Sequence, residues 1–294
     1  MSRVVISPPL IAAFIIAFVF SLSAPLHAQT PASCTFTYFN PPPPDADYGF
    51  SPNSINDNNT VVGEADGSNN YFRGFIRKSG GAITQFKVPK SYQTTLRRIN
   101  VHGTAVGGYG NTSSTNPPPS VGFHGLIYTS SAYATLNYPG SNSTVLTGIN
   151  HFNTIVGTAN DPKNSGGTLG FKYLNGQFTA IRYPGAVQTT ANAINDNGVI
   201  VGGYKKSSAP NTWFGYIRQK DGTFKGLNYY PNDINSNGTI VENNNIHFPD
   251  GTVKSVWVNG SVETALGGIN NLGALTGFAY WGTFEYKGFI AKCH

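Results

Sequence analysis

The chain has 294 residues, a net charge of +6 and only 11% charged residues, but 13% aromatic residues, 35 glycines and 19 prolines. That aromatic content excludes a disordered chain, which lacks the apolar side chains needed to offset the entropy of ordering. Lysine and arginine are scattered, in runs no longer than Arg97-Arg98 and Lys205-Lys206, so the charge points to anionic surfaces or glycans and not to nucleic acid.

In chain order, the first predicted element is a leader. Arg3, an apolar run over residues 10–22 and a small residue at Ala28 read as a secretory signal peptide cleaved after Ala28. The run is too short for a stable transmembrane helix, and no later segment is long and apolar enough to span a bilayer. The expectation is a soluble, monomeric, exported chain, extracellular or periplasmic, with residues 29–294 forming one domain.

Beyond the leader the chain is repetitive. An Ile-Asn pair recurs at Ile55, Ile99, Ile149, Ile194, Ile234 and Ile269, at intervals of roughly 35 to 50 residues, the range in which repeats mean solenoids or propellers. Three residues after each Asn stands Asn59, Gly103, Asn153, Gly198, Gly238 or Gly273, the two residue types that most readily take positive φ. Asn opening a type I turn and Gly or Asn at its fourth position close a β-hairpin with a bulge. A short apolar run succeeds each turn, as in Val61-Val62 and Ile200-Val201. These asparagines are therefore read as architectural, with no metal to bind.

Each repeat continues with a glycine-led third strand, as in Gly74-Phe75-Ile76, Gly170-Phe171-Lys172 and Gly288-Phe289-Ile290. Blade five offers Val256-Trp257-Val258 instead. A tight turn such as Asn175-Gly176 leads to a fourth strand that ends at proline, as in FTAIRYPG from Phe178. Four short strands per repeat, six repeats and no helical periodicity predict an all-β, six-bladed β-propeller of four-stranded antiparallel blades.

Closure is predicted from the ends. The chain stops at His294 after the third strand of repeat six, and residues 35–41 supply the missing fourth strand. The two cysteines, Cys34 and Cys293, fall at the matching ends of those strands and read as a disulfide in an exported protein.

The stretches INDNGVIVGGY and GFKYLNGQFTAIRYPGA resemble the HAF family of extracellular repeat proteins found in bacteria. The resemblance covers almost all of residues 29–294, in six copies of unequal quality. It implies export and a propeller-like fold, and brings no activity and no catalytic residues. The fifth repeat departs from the pattern: Glu242 replaces the usual glycine, and the loop leaving strand four is nearly gone.

The supply of chemistry is thin. Asp57, Asp196 and Asp221 sit in turns, where short polar side chains support the backbone. Glu64 and Glu242 occupy near-equivalent positions and raise the reading of a glycosidase pair, weighed against two carboxylates in non-adjacent blades. His102, His151, His124 and His247 lack metal-ligand spacing, and the faint calcium-loop likeness at INDNN lacks its bidentate Glu. No metal and no cofactor are expected. Binding fits better, since the connections between strands two and three and between blades are expected to vary from about six to nearly twenty residues, and function gathers in variable loops. Those loops carry Tyr109, Tyr138, Tyr183, Tyr204, Trp213, Tyr230 and Trp281, aromatic faces beside amides and hydroxyls that suit a glycan. The sequence thus predicts a non-enzymatic binding scaffold for glycans or cell-envelope material. The alternatives are a protein-interaction or adhesion module and a glycoside hydrolase-like or lyase-like enzyme.

Overall fold

In each repeat the residue at the fourth position of the predicted turn donates its N–H to the carbonyl of the Asn three residues earlier, at 2.9–3.1 Å. Those six residues hold φ between 58° and 84°, so Asn and Gly are required there by backbone conformation. The structure is a computed structural model describing residues 30–42, 50–66, 71–111, 122–130, 132–282 and 285–294. The leader predicted over residues 1–28 lies outside them.

Among the described residues the strands form six antiparallel four-stranded blades, one of them extended by a fifth strand. Blade one is Phe50–Ile55, Val61–Asp66, Phe72–Arg77 and Ile83–Phe86. Blade two is Ser91–Ile99, Ala105–Asn111, Phe123–Tyr128 and Tyr133–Thr135. Blade three is Thr144–Ile149, Ile155–Asn160, Thr168–Leu174 and Gln177–Ile181. Blade four is Gln188–Ile194, Ile200–Lys206, Ala209–Arg218 and Phe224–Leu227. Blade five is Asp233–Ile234, Ile240–Glu242, Asn245–His247 and Val253–Ser255; blade six is Glu263–Ile269, Leu275–Tyr280 and Tyr286–Cys293. The outermost strand of blade six is Cys34–Phe39, paired from Cys34 opposite Cys293 to Phe39 opposite Gly288. Cys34 and Cys293 form a disulfide with their Cα atoms 4.0 Å apart. The six-bladed ring closed by its two ends is as the sequence predicts.

Burial explains why the blades stack. Each of six apolar clusters lies between two consecutive blades. The cluster of Phe39, Phe50, Ile55, Phe75 and Ala274 joins the last blade to the first. Glycine on strand three lets blades lie this close, since a Cβ at Gly74 would sit 2.8 Å from the Leu96 side chain of the next blade and one at Gly170 3.0 Å from Ala191 N. Glycine on strand two makes room within a blade. A Cβ at Gly157 would sit 2.4 Å from the Phe171 ring, and one at Gly63 2.1 Å from the Ser51 carbonyl.

Blade five corrects the sequence reading. Its third strand is Asn245–His247, and Val256-Trp257-Val258 comes after the fourth strand, with Trp257 54% exposed. The cause is a two-residue turn at Asn243-Asn244 between strands of three residues each. The shortened loop is therefore the one between strands two and three, not the one leaving strand four. Ser207-Ser208 makes a similarly short turn in blade four, so the expected lower limit of six residues was too long. Thr30–Pro31 pairs in parallel with Lys254 and Ser255 at the edge of blade five.

Candidate functional site

The innermost strands surround an axial passage, and the repeated asparagines narrow it. Each Asn side chain does two things. Its Oδ1 accepts backbone N–H groups of its own turn, for example from Phe152 at 3.0 Å and Thr154 at 2.9 Å in blade three. Its Nδ2 donates to the backbone carbonyl of the corresponding Asn in the next blade. The donors run Asn56 to Asn100, Asn100 to Asn150, Asn150 to Asn195, Asn195 to Asn235, Asn235 to Asn270, and Asn270 back to Asn56, at 2.9–3.3 Å. The ring is complete. Below it the next residue of each turn adds a partial second tier, in which Asn271 donates to both Asp57 and Asp196 across the passage. What remains open on this tight-turn side is a cavity of about 80 Å³.

Above the asparagine ring the passage is blocked by Arg98. The residue before each Ile is small in four repeats: Ser54, Gly148, Ala193 and Gly268. The other two are Arg98 and Asp233, which meet at 3.2 Å. Arg98 also donates to the carbonyls of Asn53, Arg97 and Asn232. Asp233 accepts from the N–H groups of Ile234 and Ile269. Burial pushes the Asp233 carboxyl up, against the pull of Arg98 and the two backbone donors. The small neighbours make room: a Cβ at Gly268 would lie 2.9 Å from Asp233 Oδ2.

Beyond the block, towards the long-loop face, lies a cavity of about 400 Å³. Its walls come largely from the residue two before each Ile: Asn53, Arg97, Thr147, Asn192, Asn232 and Gly267. In five blades the ladder shifts register across this position, a bulge that re-aims a side chain at the rim of a closed sheet. Tyr230 and Phe278 add aromatic surface. This is a mixed cup, amide and hydroxyl side chains set among the apolar surface of Pro52, Val145, Ala265, Leu266, Tyr230 and Phe278, a lining that suits a small ligand with both an apolar face and hydroxyls.

The predicted aromatic set divides here. Tyr230 lines the cup, with its hydroxyl 3.1 Å from Thr190 Oγ1, and Trp213 meets Tyr230 edge to face at 5.9 Å. The other five pack within or between blades. Tyr183 and Tyr204 stack at 3.7 Å, Tyr138 packs on Phe171 and Phe178, Tyr109 bonds Thr135 at 2.8 Å, and Trp281 meets Tyr38. The two glutamates stay apart. Glu64, in blade one, faces Arg97 at 3.5 Å; Glu242, in blade five, accepts from Asn245 at 3.0 Å and lies 3.5 Å from His247 Nε2. Both are buried. Apart from Tyr230, the cup-lining residues were missed by sequence reasoning, although a signal existed: a polar residue standing at one fixed place before the Ile in five of the repeats.

Among the described residues no three His, Cys, Asp or Glu side chains converge as metal ligands, and no helix is long and apolar enough to cross a membrane. No protein-family profile and no curated protein matches the chain. Among solved structures it is similar to TolB from Acinetobacter baumannii, at 12% identity and a TM-score of 0.45, covering 84% of this chain and 55% of that one. It is also similar to a gluconolactonase-like protein, at 10% identity and a TM-score of 0.49, covering 90% of this chain and 95% of the other. The chain thus spans about half the length of TolB.

Proposed function

We propose that this protein is an exported, non-enzymatic propeller of the HAF type that binds a glycan in the cup at its long-loop mouth. The observation that carries the reading is the cup itself: amides and a hydroxyl from four blades converge with Tyr230 and Phe278 around about 400 Å³. Aromatic walls accept the apolar face of a sugar ring, and adaptable side-chain donors and acceptors match its hydroxyls. The disulfide supports export, because such bonds persist in oxidising compartments.

The test is a screen of soluble polysaccharides against the wild type and Tyr230→Ala. The expected result is binding that falls at least tenfold in the variant while the thermal transition is retained. Absence of binding to any polysaccharide at millimolar sugar overturns the reading. A second reading, a protein partner, is favoured by Trp257 and Val262, which are 54% and 66% exposed in the loop joining blades five and six. Loss of a cross-linked partner on Trp257→Ser, with Tyr230→Ala silent, would select it.

A further inference from the structure

One polar residue of the cup makes no hydrogen bond to a carbonyl of the next blade and instead reaches back, loosely, to a carboxylate of the blade before. At the position two before the Ile, Asn53, Thr147, Asn192 and Asn232 each donate to a backbone carbonyl of the next blade: Leu96, Ala191, Pro231 and Leu266. Gly267 has no side chain, and the Pro52 carbonyl stands 1.9 Å from where a Cβ would be. Arg97 is the exception. Its guanidinium meets Glu64 at 3.5 Å, a loose ion pair, and its side chain remains 41% exposed while that of Glu64 is 10% exposed. Glu64 Oε2 is buried without a hydrogen-bond partner. The remaining polar side chains of the cup are uncharged, apart from Arg98, which is held by Asp233 and three carbonyls. A half-exposed cation therefore borders an otherwise neutral cup.

A second cation lies along the path outward. Tyr230 in the cup meets Trp213, and the Lys205 ammonium sits over the Trp213 ring at 4.8 Å. Lys206 is next, 5.3 Å from the Phe214 ring.

Resting on the glycan reading above, we propose that the ligand is an acidic glycan with uronate residues. One uronate carboxylate pairs with Arg97 in the cup, and the chain leaves over blade four along Tyr230, Trp213 and Lys205. A planar guanidinium offers a carboxylate two parallel N–H donors, a stronger contact than its present one with Glu64. Taking the ligand, Arg97 leaves Glu64 buried with less compensation, so Glu64 competes with the ligand for the same cation. That competition gives a signature which a merely structural Arg97 lacks.

The experiment titrates a tetramer of α-1,4-linked galacturonate into the wild type by calorimetry, beside the fully methyl-esterified tetramer. Arg97→Gln, Arg97→Lys, Glu64→Gln and Lys205→Gln are compared, with thermal transitions confirming that each is folded. Expected are a loss of about tenfold for the ester and for Arg97→Gln, as for one charge-assisted contact, partial rescue by Arg97→Lys, and tighter binding by Glu64→Gln. Added salt should weaken the acid and leave the ester unchanged. If acid and ester bind equally and Arg97→Gln is silent, the acidic inference fails while the glycan reading stands. If a polyglutamate peptide binds through Arg97 and no sugar does, both fail in favour of a peptide ligand. If neither sugars nor peptide bind at millimolar concentration, both fail outright.

Discussion

Asparagine at the turn is chosen for its two ends. Aspartate would close the same turn through its oxygens, but only an amide also donates to the neighbouring blade. Asn195 shows both contacts, accepting from Val199 N at 2.9 Å and donating to the Asn235 carbonyl at 3.0 Å. Removing it in Asn195→Ala leaves the half-buried Val199 N–H unpaired and the Asn235 carbonyl with only the Gly238 N–H as donor, and is expected to cost about 1–3 kcal/mol. Asn197 donates to the Ser236 carbonyl at 2.7 Å from an exposed position, so Asn197→Ala should cost about 0.5 kcal/mol or less. Urea unfolding midpoints of the two variants make the comparison, and equal losses would mean the ring does not hold the blades. The turn half of this was legible in the sequence, because it lies within five residues. The other half was not, because the partner carbonyl is one blade away. The same holds for the aromatics: composition showed how many there were, but only packing separates Tyr230 in the cup from Tyr183 and Tyr204 stacked on each other. Charge has its own case in Asp161. Hydrogen bonds from Arg182 hold its carboxyl below the usual carboxylate range. A depressed folded-state pKa contributes stability above the unfolded value, about 3.9, that is lost as pH falls through the folded value. Asp161→Asn should therefore lower the melting temperature at pH 7, and the gap should close as pH is brought below that value.

Element by element, blade five is the weak member. Its second and third strands have three residues each, against six and seven in blade three. Register opposes Glu242 to Asn245 where blade one opposes Gly63 to Phe75, so a polar pair stands where its neighbours bury an aromatic ring. The stacking of Tyr229 on His247 at 3.7 Å fills part of that space; burial next to Glu242 pushes the Tyr229 hydroxyl up to about 12. Short ladders and fewer apolar contacts place a segment at the low-stability end of a fold. Hydrogen exchange should reach amides of Ile240–Glu242 and Asn245–His247 well before those of Ile155–Asn160 and Thr168–Leu174. Uniform protection around the ring would contradict this. The misplacement of strand three has the same origin. Val256-Trp257-Val258 carries the stronger strand signal in sequence, but Asn243-Asn244 turns the chain so early that Asn245–His247 takes the pairing.

At the scale of the whole molecule a closed ring has a seam, and here several contacts of different kinds cross it. Cys34–Phe39 pairs with Tyr286–Cys293, Asn270 donates to Asn56, and Phe39, Phe50, Phe75 and Ala274 form one apolar cluster. The disulfide joins residues 259 apart in sequence. On the loop-entropy model such a bridge stabilises by at most about 5 kcal/mol, through the unfolded chain and not through native contacts. The other seam contacts survive its removal. The double variant Cys34→Ser/Cys293→Ser should therefore fold to the same far-ultraviolet spectrum and melt at a lower temperature in one transition. Wild type in reductant should melt at the temperature of the variant, and the variant should ignore reductant. Deleting residues 34–39 removes the strand itself, uncovers the edge of Tyr286–Cys293 and takes Phe39 from the cluster joining blades six and one. That chain should lose its single cooperative transition whatever the redox state. If instead the deletion melts like the double variant, the ends contribute only their covalent link, and the pairing of the first and last strands is not what holds the ring shut.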